Sequence, residues 1–460
     1  MELTSTLSRD LVLQVSSTLN EPDWLRAKRL LAWETFTKLP YPTPRTEEWK
    51  YTDITEVPFE ELALELPVGQ SLTREALPAE VKLRLEQAQL SGFAVFVGAD
   101  LVYAELPEEL SKQGVVLTSL HEALRTHPEQ VEANLFKAVN WNDLVGAQAS
   151  RRENSKIPAL NAALFTHGVF LYIPKNVEFS KPIGVFKYLE GQVSGVAGRG
   201  SDALGKLSSS RTLIVGDVNS QGVYIEEYIS PAKVPASVNT SSTELILAQG
   251  AKLRHAHIQT LGEGFYHFHR QRAHLDRDAA LNDLVVDMGG SIVRAEVQSE
   301  MLGAGSYSEM LGLYFTSGTQ HVDHYTLQHH VADHAYSDVL YKGAAKDGSR
   351  TVYAGLIKLE PGAQKTDAYQ TNRNLLLSPE ARSDSVPQLE IAANDVKCSH
   401  GSSTAPVDPM ELFYLMSRGL PQHVGQQILV KAHLTDVLTR IPIEPLREHI
   451  EHIIEEKVRL

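Results

Sequence analysis

Cys398 is the only cysteine among 460 residues and lies in the segment Asp395-Val396-Lys397-Cys398-Ser399-His400-Gly401. On a strand, residues two apart share a face. This spacing therefore sets a thiolate beside an imidazole, two ligands suited to iron or zinc. Two are too few, because a structural zinc or an iron–sulfur cluster takes about four protein ligands. A metal held by Cys398 and His400 needs the rest from a second chain or from a substrate. The alternative is a small apolar cysteine in a core, with an unrelated hydrogen-bonded histidine nearby.

Other clusters read differently. His255 and His257, with Glu263 a few residues on, resemble half of a cupin metal site, yet the spacing from Gly250 is one residue short and no second half follows. His267 and His269 repeat the two-residue spacing and read as solvent-facing or cross-strand packing. The densest group is His321, His324, His329, His330 and His334. His321 and His324 face opposite ways on a strand, and His330 and His334 meet only on a helix. Imidazoles hydrogen-bonding along strands account for them. Gly200 to Leu207 nearly matches a phosphate-binding loop, but Leu207 replaces the hydroxyl that would hold magnesium. The surrounding Gly191 to Ser210 run is Gly/Ser-rich and reads as a flexible loop. There is no G-x-S-x-G turn or paired-carboxylate motif.

The elements that must position these residues fall into three regions. Residues 1–150 are mixed, with helices leading: Trp24 to Leu39 has helical spacing at Ala27, Leu30, Leu31 and Glu34. Gly92 to Tyr103 reads as a hairpin around Gly98, and Leu120 to Val139 as a helix ended by Asn140 to Asp143. Residues 151–405 are short apolar runs closed by Gly, Asn, Asp or Ser. Gly-Ala pairs at 250, 303, 343 and 362 mark turns, and no strict repeat is visible. So long a strand-rich region favours stacked solenoid rungs over a single sandwich. Residues 406–460 return to helices: Asp408-Pro409-Met410-Glu411 has the order of a capped start, and Gly419 ends the first helix. The later apolar stripes serve either the chain's own core or a partner protein.

Composition narrows the function. Lys plus Arg is 43 against 57 for Asp plus Glu, a net charge of -14, which argues against a general nucleic-acid binder. One cysteine excludes a disulfide framework and points to a reducing compartment. No run is long and apolar enough for a membrane span. A cytoplasmic or plastid-stroma location is expected.

Three motifs in order then meet a known family. Pro44-Arg45-Thr46-Glu47-Glu48-Trp49-Lys50-Tyr51-Thr52 resembles the amino-terminal signature of the SufB/SufD family. Val396 to Ser402 is similar to that family's carboxy-terminal motif on its SufD side, where a single cysteine and a Cys-Ser-His triplet belong. Glu411 to Gly419 resembles the helix that follows. The resemblance implies a mainly β fold: a right-handed parallel β-helix core between a mixed amino-terminal domain and a carboxy-terminal helical domain. It also implies a non-enzymatic scaffold in the SUF iron–sulfur assembly complex, paired with SufB and docking the ATPase SufC through the carboxy-terminal helices. Pro409, Leu412, Phe413, Leu415 and Arg418 are the docking residues expected. A transient iron–sulfur cluster shared with SufB would take His400 as ligand, with Cys398 beside it, and reduced flavin associates only at the level of the complex. Trp49 is expected to pack.

Alone, the chain is expected to form a homodimer through strands near residues 380 to 400 and to carry substoichiometric metal. Truncation near Ser403 is expected to remove SufC binding and leave the β core folded. The competing readings are a β-helix enzyme acting on a polysaccharide and a cupin-like metalloprotein using His255, His257 and Glu263.

Overall fold

The computed structural model describes residues 7–141, 155–191 and 205–458. It opens with helices α1 (Arg9–Thr18) and α2 (Asp23–Lys38). Ser8 caps α1 by accepting from the Leu11 amide at 3.2 Å. The buried face of α2 is Leu25, Arg29, Ala32, Trp33 and Phe36, not the spacing read at Ala27, Leu30 and Leu31; Leu31 is 50% exposed. The displacement has a charged cause. The Arg29 guanidinium pairs with Glu21 at 2.5 Å and donates to the carbonyls of Ala163 and Phe165. Only with all these partners does so buried a cation belong on a core face.

The remaining amino-terminal elements are β1 (Ala63–Leu64), α3 (Ala79–Gln87), β2 (Gly92–Val97), β3 (Asp100–Glu105), α4 (Glu108–Lys112) and β4 (Val116–Ser119). Then come α5 (Leu120–Thr126), α6 (Pro128–Asn134) and α7 (Lys156–Leu164). The hairpin read at 92–103 is β2–β3, paired antiparallel. The single helix expected over 120–139 breaks at His127, because Pro128 has no amide to continue it. Asn142 and Asp143, read as its end, lie outside the described residues.

From here the chain winds as a solenoid with two strands per turn. One sheet holds β5 (His167–Ile173), β7 (Lys206–Gly216), β9 (Lys233–Leu247), β11 (Glu263–Leu275), β13 (Ile292–Met301), β15 (His321–His330), β17 (Arg350–Leu359) and β19 (Arg382–Ile391). The other holds β6 (Ile183–Tyr188), β8 (Gln221–Ile229), β10 (Lys252–Thr260), β12 (Ala280–Asp287), β14 (Tyr307–Thr316), β16 (Tyr336–Ala345), β18 (Asp367–Leu376) and β20 (Lys397–Pro406). All these pairings are parallel. The first end is closed by β4 on one sheet and the β2–β3 hairpin on the other. At the far end, β19 and β20 pair only with β17 and β18 and leave their outer edges free. The parallel β-helix expected from the sequence is present.

Two sequence readings change. Lys206 to Ser210, read as part of a flexible loop, belongs to β7, while residues 192–204 of that run, with most of the phosphate-loop match, lie outside the described residues. Gly343-Ala344 is not a turn but lies within β16, near its end. A Cβ at Gly343 would stand 1.9 Å from the Tyr314 ring, and one at Gly312 2.3 Å from Tyr341. These glycines let interior tyrosines lie flat on the next strand. The regular turn signal is elsewhere. Residues 219, 250, 278, 305, 334 and 365, that is Asn219, Gly250, Asp278, Gly305, His334 and Lys365, all have positive φ. They stack at one corner of the solenoid, the amide of each bonded to a carbonyl of the next turn. This left-handed position favours Gly, Asn and Asp.

Parts of the outer faces are covered by the chain itself, while Tyr336 and Tyr369 toward the far end stay exposed. Phe268 on β11 packs against Trp49 and Phe59. After β20 come α8 (Pro409–Ser417), α9 (Gln422–Leu438) and α10 (Glu444–Val458). Val430, Leu434, Ile450 and Ile454 pack on Ala256, Ile258, Leu284 and Leu313 of the second sheet. Each such side chain contributes about 1.5–3 kcal/mol on full burial. The stripes on α9 and α10 thus serve the chain's own core. Truncation near Ser403, expected to spare that core, would strip this cover and cut β20 itself.

Candidate functional site

Cys398 and His400 lie on β20, the free edge strand, in register with Ala368 and Gln370 of β18. Ala368 and Gln370 are buried inside the solenoid, so Cys398, His400 and Ser402 line the open mouth of its last turn. The Ser402 hydroxyl reaches Ser385 of β19 across that mouth at 2.8 Å. His400 is exposed because no further turn covers it. Cys398 is half-buried against Ala363, Ala368 and Leu359, and that burial pushes its thiol up to about 11. The sulfur is therefore protonated at neutral pH until a cation beside it favours the thiolate. The sequence places both residues together, and the structure brings them together at an edge where a second chain can approach.

The helix α8 follows directly. Asp408 caps it by accepting from the amides of Met410 and Glu411. Leu412 and Leu415 turn inward and close on Gly425 of α9, holding α8 in place. Phe413 is 64% exposed, beside Met410, Tyr414 and Met416, which are also open. Pro409 and Arg418 are exposed at the two ends of this helix. Of the docking residues expected, Phe413 faces outward while Leu412 and Leu415 do not. Met410, Tyr414 and Met416 were missed because exposure on a short helix depends on which side α9 packs.

The interior histidines follow neither reading entirely. His255 binds Asp283 at 2.8 Å. Glu263 is on the surface, paired with Lys233. The trio read as cupin-like is therefore dispersed. His267 and His269 are not solvent-facing: both are buried and stack with His257 across the two sheets. In the other cluster, His324 binds Asp287 at 2.7 Å, His330 binds Ser337 at 2.7 Å, and His329 meets Glu360 at 3.0 Å. His321 meets Thr52 at 2.8 Å. His334 occupies the positive-φ corner. The hydrogen-bonding account of this cluster holds.

Two buried histidines give the fold an acid limit. Burial drives His330 down to about 3, and burial together with the Lys187 charge holds His167 well below its ordinary value. In the unfolded chain both take up protons below about pH 6.5. Their stabilising contribution is whole above that pH and shrinks as the pH falls toward the folded values, by up to about 1.4 kcal/mol per unit for each. Urea midpoints should drop between pH 7 and 5. A midpoint that stays level over that window would refute the neutral assignment.

The segment Pro44 to Thr52 is structural. Trp49 is buried, with the Arg294 guanidinium 4.1 Å from its ring. Arg294 donates to the Glu48 carbonyl and pairs with Asp323, and Thr52 donates to the same carboxylate. The signature fastens the amino-terminal region to β13 and β15. One face of the indole is thus occupied by the Arg294 guanidinium.

No helix among the described residues is long and apolar enough to cross a membrane. Residues 198–433 match the family described as SUF system FeS cluster assembly, SufBD core domain, and residues 10–185 match the SufBD protein N-terminal region. The iron–sulfur cluster assembly protein SufD of Bacillus subtilis (strain 168) is 28% identical over 445 residues, 95% of each chain. Iron–sulfur cluster assembly SufBD family proteins of Staphylococcus haemolyticus and Staphylococcus epidermidis are each 24% identical over 448 residues, 95% of this chain and 90% of theirs.

Proposed function

Because the chain belongs to the SufBD family of iron–sulfur cluster assembly proteins, we propose that it is a non-enzymatic scaffold subunit of a cytoplasmic or stromal SUF complex. It holds a nascent cluster, its cargo, at an interface with SufB and docks the ATPase SufC. The observation that carries this reading is the pair of free edges, β19 and β20, at the end where His400 and Cys398 line the mouth. Unpaired strand edges recruit further strands, and a second solenoid meeting these edges supplies the ligands that two residues lack. His400 is the ligand from this side, with Cys398 an auxiliary one. Flavin belongs to the complex, and no residue of this chain is assigned to it. A polysaccharide-active solenoid would need a long open groove on an outer sheet face, and here the amino-terminal region and α9 and α10 lie on parts of those faces.

Docking of SufC falls to the outward face of α8. Phe413→Asp should abolish co-purification with SufC while the free energy of unfolding changes by no more than about 0.5 kcal/mol, as for an exposed site. Retained SufC binding in a folded variant would show that α8 is not the docking element. The scaffold reading is tested by co-expression with SufB and SufC, followed by gel filtration under anaerobic conditions. A three-component complex containing this chain is expected. Without SufB, light scattering at micromolar concentration should find a homodimer joined through the same edges. A stable monomer that also fails to bind SufB would overturn the reading.

A further inference from the structure

Three imidazoles converge inside the solenoid, far from the open mouth. His257 projects from β10 on one sheet, and His267 and His269 from β11 on the other. One ring nitrogen from each lies within 4.8 Å of the other two. The rings of His257 and His269 stack with centroids 3.8 Å apart. The three residues are 0%, 0% and 2% exposed. Five strand spacings of about 4.8 Å separate β10 from β20, roughly 24 Å, so this place is not the edge that carries His400.

The hydrogen bonding at this place is incomplete. Both nitrogens of His257, Nε2 of His267 and Nε2 of His269 have no partner. Buried polar atoms are normally paired, and a group of unpaired ones implies an occupant. The remaining nitrogens are held from behind: Nδ1 of His267 lies 2.9 Å from the Asn239 amide, and Nδ1 of His269 lies 2.8 Å from the Ser241 hydroxyl. Metal-binding histidines have such supports, which fix the tautomer and aim the other nitrogen. The Asn239 carbonyl oxygen is itself unpartnered. Turning that amide over lets it accept from Nδ1–H and leaves Nε2 with a free lone pair.

We propose that His257, His267 and His269 form a resident site for one divalent ion of the first transition row. Imidazole suits zinc, cobalt, nickel and iron(II) among these ions. Three ligands leave a fourth position for water. Each ring offers an unpartnered nitrogen whose lone pair can bind a cation. A carboxylate, Asp287, lies nearby: its Oδ2 meets His324 at 2.7 Å and its Oδ1 has no hydrogen-bond partner. Asp287 pairs in register with Gln259, two positions beyond His257 on the same inward face. Rotation of the rings closes the trio onto an ion at about 2.1 Å. The bound ion ties the two sheets together at mid-solenoid. An occupied site would raise the metal content to about one ion per chain, above the substoichiometric level expected from the sequence.

The test uses the full chain. The protein is unfolded with a chelator, refolded with Zn²⁺ alone or Co²⁺ alone, and freed of loose metal by gel filtration. About one equivalent per chain is expected, with the visible absorption of four-coordinate Co²⁺ and an X-ray absorption signature of imidazole nitrogen. His257→Gln and His269→Gln should each weaken binding by roughly a hundredfold, while His400→Ala keeps the core ion. His255→Gln, a neighbouring buried histidine outside the trio, should also keep it. Refolded wild-type protein that retains less than about a tenth of an equivalent would overturn the proposal and assign the space to water. Metal retained unchanged by both glutamine variants would overturn it equally, and the wild-type cobalt spectrum decides the matter if those variants do not fold.

Discussion

Replacing His400 with alanine should leave the chain folded and bound to SufB while the cluster content of the complex collapses. The imidazole is exposed at an uncovered mouth, so its removal takes away little packing, and a surface change of this kind moves stability by no more than about 0.5 kcal/mol. As a ligand it has no substitute, because its inward neighbours on the strand are a half-buried thiol and the serine Ser402. Cys398→Ser should be the milder change. The thiol is pushed up to about 11 by burial, so it is protonated before a cluster arrives and contributes only after losing that proton. The measurement is absorbance and iron content of the anaerobically purified three-component complex carrying each variant. Normal cluster content with His400→Ala would remove His400 from the site and leave family membership untouched.

The largest loss of stability is expected at Glu244. Its carboxylate, on β9 and fully buried, accepts from the amides of Phe136, Ala138 and Val139 at 2.8, 2.9 and 3.1 Å and from Arg211 at 2.9 Å. One side chain thus pins the segment after α6 to the solenoid. Glu244→Ala strands three amides and removes the counter-charge of the buried Arg211 guanidinium, which keeps only its bonds to Asn161 Oδ1 and the Val139 carbonyl. Breaking a buried pair from one side costs about 3–5 kcal/mol, and the stranded amides add to it. Urea unfolding should show that loss, with Glu244→Gln intermediate because it keeps an oxygen for the amides. A loss under about 1 kcal/mol for the alanine variant would show that water enters and replaces the carboxylate.

Much of the architecture was legible in the sequence because solenoid strands are short, apolar and punctuated. The strand runs, the hairpin at 92–103 and the capped start of α8 follow from local chemistry that tertiary packing did not override. Tertiary packing did override α2, where the buried pair of Arg29 with Glu21 put a charge at the centre of the core face. The repeat was missed because its marker is a backbone conformation, filled in turn by Asn, Gly, Asp, His and Lys, rather than a residue type. The shared strand face of Cys398 and His400 is readable from spacing, while their reading as ligands comes from the family resemblance. The trio at His257, His267 and His269 was visible only as two separate His-x-His pairs. Joining them requires knowing that β10 and β11 face each other across the interior, which no local pattern states.

The open end also has a kinetic meaning. In a solenoid each turn is stabilised by its nearest neighbours. The turn made by β19 and β20 has one neighbour, and its strand residues are all half-buried or exposed. Its backbone opens without requiring anything else to open. Amides of β19 and β20 therefore exchange with solvent fastest along the solenoid, and those of β10 and β11, flanked on both sides, slowest. A strand added across this edge gives the last turn its second neighbour. Capture of a partner strand at this edge would then coincide with the final step of folding and would order the turn that carries His400.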